Sequence, residues 1–266
     1  MNAPSPFGLV ETLQRVGVDC LSGVIAAGAV APVIASIDKA VVEKAAGKSS
    51  IRASLTISVK EILLSPFEYL SSFEFIWIWL VYALTYMAFN SIDSLCKIIH
   101  IPDVLPKLLM VTFSNMAASV AKDRAFAVQF GGKGKGVVRM VSLLLWTIRD
   151  VMTIATAFIF PPKVGLLLEG YGMPLGHAVN FAQFLCPIIA QIFLTPLHIL
   201  GLDYYNHPDD MFRHRAVRVT RLYPSTAMVR MVRMGCAYGI GGIGNKIFRN
   251  FFNTLNEGAN WDSNYA

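Results

Sequence analysis

Two charged residues stand in the middle of an apolar run, Leu145-Trp146-Thr147-Ile148-Arg149-Asp150-Val151-Met152. An ion inside a membrane span is costly unless it is paired or wet. Arg149 and Asp150 therefore read in one of two ways. As binding residues, Arg149 would hold an anionic or amino-acid-like solute and Asp150 would set its charge preference. As structural residues, they would form an ion pair with a neighbouring helix.

Three polar knots end other apolar runs. They are Ser36-Ile37-Asp38-Lys39-Ala40-Val41, Ala121-Lys122-Asp123-Arg124-Ala125-Phe126 and Thr195-Pro196-Leu197-His198. The polar residues Asp38, Asp123 and His198 recur at separations of 85 and 75 residues. Similar endings at similar spacing suggest a threefold internal repeat. Pro196 lies inside its apolar run, where a proline removes a helix hydrogen bond and kinks the axis.

Other motifs have plainer readings. Gly239-Ile240-Gly241-Gly242-Ile243-Gly244 fits the dinucleotide-binding pattern, but no strand precedes it. Close helix packing explains these glycines better. Gly131-Gly132-Lys133-Gly134-Lys135-Gly136 lacks the Lys-Ser/Thr ending of a nucleotide loop and reads as a basic turn at lipid headgroups. Its lipid-binding candidates are Gly132, Lys133, Gly134 and Lys135. His207, Asp209, Asp210 and His214 lack paired zinc spacing and read as a solvated loop, so no metal is expected. Cys20, Cys96, Cys186 and Cys236 form no C-x-x-C pair and read as buried free thiols. No nucleophile–base–acid set stands out, so an enzyme is not expected.

These residues need elements to hold them. Hydrophobic residues make up 55% of the chain and charged residues 15%, with mean hydropathy +0.52. A soluble domain carries about 25% charge, so the chain reads as an all-α membrane protein. Six apolar segments approach the roughly 20 residues of a spanning helix. They are Val18–Ile37, Phe75–Ile92, Val104–Ala121, Val138–Phe160, Ala178–Leu200 and Ser225–Ile247. Small residues in the first suit close helix contact. Trp77, Trp79, Tyr82 and Tyr86 in the second read as lipid contact and packing. Ser58–Phe75 reads as an amphipathic surface helix kinked or split by Pro66, and Leu202–Tyr223 as a polar, mostly irregular loop.

Fourteen basic residues fall in the loops after segments one, three and five, against five on the opposite side. The positive-inside rule places those loops on the negatively poised side and both termini on the other. The net charge of +6 comes without a basic stripe interleaved with aromatics. Anionic lipid is thus the expected partner and nucleic acid is not.

Three helix pairs, a polar knot ending each odd helix, a surface helix and both termini on one side together resemble the mitochondrial carrier family. The resemblance covers about Val18 to Phe252. It implies six transmembrane helices as three pseudo-repeated pairs, with repeats at 18–97, 98–173 and 174–252 and a tail at 253–266. It also implies the mitochondrial inner membrane, termini toward the intermembrane space and bound cardiolipin, with no other cofactor. The family's gate pattern, Pro-x-acid-x-x-base, survives only as Asp38, Lys39, Asp123, Arg124, Pro196 and His198. At the other end, Phe89-Asn90-Ser91-Ile92-Asp93 and Phe248-Arg249-Asn250-Phe251-Phe252 do not supply acid and base in place. The family's contact points, about three turns earlier, fall near Trp77, Ile148–Arg149 and Cys236–Ala237. Without paired gates, the expectation is a non-transporting structural subunit among other inner-membrane proteins, such as those of a respiratory-chain complex. The alternative is a working transporter of a small anionic or amino-acid-like metabolite, bound by Arg149, Asp150 and Trp77.

Overall fold

The computed structural model describes residues 9–131 and 138–257. Among these, helices account for all regular structure: α1 Leu9–Ala45, α2 Ile51–Leu64, α3 Pro66–Leu70, α4 Phe73–Ile98, α5 Val104–Phe130, α6 Met140–Phe158, α7 Phe160–Glu169, α8 Leu175–Asn206, α9 Phe212–Met234 and α10 Gly242–Glu257. A π-helical stretch, Gly235–Gly241, joins α9 to α10 without a break. The protein is an all-α, multi-pass membrane protein. Five stretches are long and apolar enough to cross a membrane: Thr12–Ala45, Phe73–Ile98, Val104–Phe130, Met140–Glu169 and Leu175–Asn206.

The sixth expected span, Ser225–Ile247, is not among them. It lies across α9, the π stretch and α10, and it carries Arg230 and Arg233, both buried. These charges lower its hydropathy, and the rod turns them inward against protein rather than lipid. The rod still completes the architecture. α1 packs on α4, α4 on α5, α5 on α6, α6 and α7 on α8, and α8 on α9, while α9, the π stretch and α10 return onto α1.

The tightest helix pair is α1 with α4. At about 1.5 Å per residue, the 37 residues of α1 reach roughly 55 Å, more than the roughly 30 Å apolar core of a bilayer. Its Ala26, Ala27 and Ala31 are buried, and Trp79 Nε1 donates to the Val24 carbonyl at 3.0 Å. A Cβ on Gly23 would lie 2.8 Å from the Met87 backbone nitrogen. Gly23→Ala must push these backbones apart and is expected to cost about 1–3 kcal/mol. A lowered unfolding midpoint in detergent checks this, and an unchanged midpoint counts against the close approach.

Pro196 removes one hydrogen bond from α8, and another group takes up the freed acceptor. The Tyr223 hydroxyl donates to the Ile192 carbonyl at 2.9 Å, tying α9 to the kink. The loop expected at Leu202–Tyr223 is instead mostly helical. Asp203 near the end of α8 accepts from Arg215 at 2.8 Å and from Arg218 at 2.5 Å, both on α9. Arg215 also donates to the carbonyls of His207, Pro208 and Asp210. This clamp shortens the connection to a tight turn. The Arg218 guanidinium also holds the exposed Asp210 carboxyl below its usual range. Asp209 accepts from Arg139 at 2.9 Å.

The expected surface helix is two helices, and it begins earlier, at Ile51, where the Ser50 side chain caps the Ala53 amide. Pro66 opens α3, so it splits the segment. Ser54 and Ser58 are buried, and Ser54 donates to Glu43 of α1 at 2.5 Å. Ile57, Leu63, Leu64 and Phe67 are exposed. The polar face is thus turned to protein and the apolar face outward, the sense expected at a lipid boundary. Tyr69 of α3 anchors the segment by donating to the Pro32 carbonyl at 3.0 Å. Burial pushes its hydroxyl up to about 12, so it stays protonated as a donor.

The glycine motif packs as expected. A Cβ on Gly239 would lie 2.5 Å from the Phe184 ring of α8. The turn residues Gly132, Lys133, Gly134 and Lys135 lie outside the described residues. Of the four cysteines, all free, only Cys96 is fully buried.

Candidate functional site

The charges of α1, α5, α6 and α9 converge in one buried layer. Asp38 accepts from Lys122 at 2.7 Å and from Arg233 at 2.7 Å. Asp123 pairs with the neighbouring Lys122 and lies 2.6 Å from Arg149. Asp150 Oδ1 accepts from Arg149 Nε at 2.9 Å and from Nη2 at 2.6 Å. Arg149 Nη1 sits 2.6 Å from His198 Nδ1. A guanidinium can only donate, so Nδ1 accepts, which places the ring proton of a neutral His198 on Nε2. All of these residues are at least nine-tenths buried. Polar groups this deep must find partners, because an unmatched charge there is strongly destabilising.

Arg230 is the exception. Its Nε donates to Gln191 Oε1 at 3.2 Å, and it forms no ion pair among the described residues. Gln191 is fully buried and is itself held by the Pro187 carbonyl at 3.2 Å. The layer therefore holds four cations, Lys122, Arg149, Arg230 and Arg233, against three carboxylates, Asp38, Asp123 and Asp150.

A narrow cavity of about 20 Å³, room for a water-sized molecule, adjoins the layer. Lys122, Arg149, Asp150, Arg230 and Arg233 form its charged wall, and Asn115, Ser119, Thr153, Tyr82 and Tyr238 also line it. The walls approach closely, so a solute enters only as the helices part. Of the stripe read as lipid contact and packing, Tyr82 and Tyr86 are both buried and pack inside the bundle. Tyr86 donates to the Ala237 carbonyl of the π stretch at 2.8 Å. Trp77 packs against Phe73 instead of lining the cavity.

A second layer lies toward the termini. Arg249 of α10 donates to Asp19 at 2.7 Å, Asp93 at 2.6 Å, Ser94 at 2.9 Å and the Asn90 carbonyl at 3.1 Å. Lys107 of α5 also pairs with Asp93. Asn90 and Asn245 exchange amide hydrogen bonds of 2.9 and 2.8 Å. Position along the helices puts the cavity between the layers. On α5 the order is Lys107, then Asn115 and Ser119, then Lys122 and Asp123. On the last rod it is Arg230 and Arg233, then Tyr238, then Arg249.

Residues 22–253 match the family described as "Probable citrulline exporter". The chain belongs to that family. No curated protein and no solved structure matches it. The match overturns the mitochondrial carrier resemblance, which rested on helix pairs and degraded knots that any ringed helical transporter can share. It also overturns the non-transporting structural subunit. The citrulline exporter family is one of transporters and not of enzymes, in agreement with the sequence.

The reason for the structural-subunit expectation also fails on geometry. Lys39 and Arg124 are not the partners of the knot acids: Lys39 pairs with Glu74 at 2.5 Å, and Arg124 is exposed. The bases come from Lys122, Arg149 and Arg233. At the other end Arg249 and Asp93, read as out of place, pair directly, and Arg249 also takes Asp19. Arg149 is both bonded to a facing helix and set in the cavity wall, so bonding alone does not separate a structural from a transporting role. Lys122, Arg230, Arg233, Gln191 and Asp19 were missed. Arg230 and Arg233 had a usable signal, as ions inside an apolar run.

Proposed function

We propose that the protein exports citrulline, or a neutral α-amino acid of its class, across a membrane through the cavity between the two charged layers. The supporting observation is the charged layer in and beside the cavity wall, where four buried cations meet three carboxylates next to hydroxyl and amide groups. Citrulline is a zwitterion with an uncharged ureido side chain. Its carboxylate suits the excess cation, and Asn115, Ser119, Tyr82 and Tyr238 offer hydrogen bonds to the ureido group. Arginine has nearly the same shape but carries one more positive charge. At a few ångströms and an effective dielectric near 20, like charges repel by several kcal/mol. Arginine and ornithine are therefore rejected.

Both layers are closed around the cavity, so export proceeds by opening one and then the other. The α9–π–α10 rod serves as a sixth crossing, shielded from lipid by burial of its arginines. The basic loops after α1, α5 and α8 face the compartment the solute leaves. Anionic lipid meets the outward apolar face of α2 and α3 there.

Purified protein in liposomes is expected to exchange labelled citrulline saturably, with arginine competing about tenfold less well or worse. Absence of saturable exchange, or equal competition by arginine, overturns the reading.

A further inference from the structure

The wall of the cavity leaves one cation without a carboxylate and one carboxylate oxygen without a hydrogen bond. One is Arg230. Gln191 takes only its Nε, and no carboxylate pairs with the guanidinium among the described residues. The other is the second carboxylate oxygen of Asp150. Arg149 bonds Oδ1 twice, and Oδ2 is buried without a hydrogen-bond partner. Both residues line the same cavity and come from different helices, α9 and α6. Buried groups of this kind are costly when unmet, so each is a vacancy for a partner of opposite charge.

Arg149 does not offer such a vacancy. Asp123, Asp150 and His198 already take its donors. Lys122 is shared between Asp38 and Asp123, and Arg233 is paired with Asp38. Resting on the export reading above, we infer that Arg230 and Asp150 form a head-group clamp for an α-amino acid. Arg230 receives the α-carboxylate and Asp150 Oδ2 accepts the α-ammonium. The zwitterion brings one charge of each sign, so a loaded clamp matches both vacancies without changing the charge of the layer. Gln191 acts as a positioning residue. It fixes Nε and leaves the other two guanidinium nitrogens for the carboxylate, in the forked geometry that arginine provides.

The clamp predicts which end of the solute each residue reads. The probes are L-citrulline, its carboxamide, which lacks the carboxylate charge, and its Nα-acetyl derivative, which lacks the ammonium. Each is titrated against the full chain purified in mild detergent. The unaltered protein should bind citrulline roughly ten- to a hundredfold more tightly than either derivative, as expected for one lost charged hydrogen-bonding pair. Arg230→Gln should bring the citrulline-to-carboxamide ratio close to one and leave the citrulline-to-acetyl ratio. Asp150→Asn should do the reverse. A merely structural role would weaken all three probes alike and keep both ratios. If Arg230→Gln does not fold, Arg230→Lys keeps the charge and loses the fork, and its carboxamide ratio should fall several-fold. Ratios unchanged in the variants, or near one in the unaltered protein, overturn the clamp and leave export standing. Failure of the unaltered protein to bind citrulline overturns the export reading and the clamp with it.

Discussion

Asp38→Asn is expected to destabilise the protein by about 3–5 kcal/mol, the cost of breaking a buried ion pair by removing one partner. Asp38 is 5% exposed and joins three helices, α1 through its own backbone, α5 through Lys122 and α9 through Arg233. Lys122 keeps Asp123 after the change, but Arg233 is left with no carboxylate among the ion pairs of the layer. The stranded charge dominates the loss. Removing it as well, in Asp38→Asn with Arg233→Gln, should recover more than half of the lost stability, because a matched neutral pair is cheaper than an unmatched cation. Unfolding by denaturing detergent, followed by tryptophan fluorescence, reads both. A single variant within about 1 kcal/mol of the parent would mean the layer contributes no more than an exposed pair.

The second large effect is expected at the opposite end. Arg249→Gln should cost about 3 kcal/mol, the lower edge for a buried pair. The value is lower than for Asp38 because Asp93 retains Lys107 and Lys97. Among the described ion pairs Asp19 has Arg249 as its partner, and its side chain is 1% exposed, so it carries most of the penalty. Arg249→Lys should restore less than half, since one ammonium cannot reproduce a fork that meets Asp19, Asp93, Ser94 and the Asn90 carbonyl together. Hydrogen exchange locates the change. Amides of α10 should exchange faster in Arg249→Gln while those of α6 stay protected. Equal loosening of both helices would show that the terminal layer does not act locally.

The two layers also differ in what they leave unmet. In the layer near the termini, Arg249 and Lys107 are both matched by carboxylates. Beside the cavity, Arg230 is not. Under the export proposal, the carboxylate of the solute supplies the anion that Arg230 lacks.

Apolar length and composition were sufficient to place the helices, because burying apolar surface in lipid depends on runs of residue type and little on their neighbours. The first five expected spans match the helical stretches that can cross a membrane, the fourth starting two residues ahead of its helix at Met140. Pro66 reads as a kink or a split of the surface helix, and it opens α3. Asp38, Asp123, Arg149, Asp150 and His198 were singled out as ions or polar groups in apolar runs, and all five meet in one layer. Their partners were not legible. Lys122 and Arg124 flank Asp123 equally in sequence, but a helix turns each residue by about 100°, so one points to the core and the other away. Asp19 and Arg249 stand 230 positions apart, and only closure of the helix ring brings them within bonding distance. Arg230 and Arg233 depress the hydropathy of the last rod, yet both are buried inside the bundle, and a linear sequence does not record which face of a helix its neighbours cover.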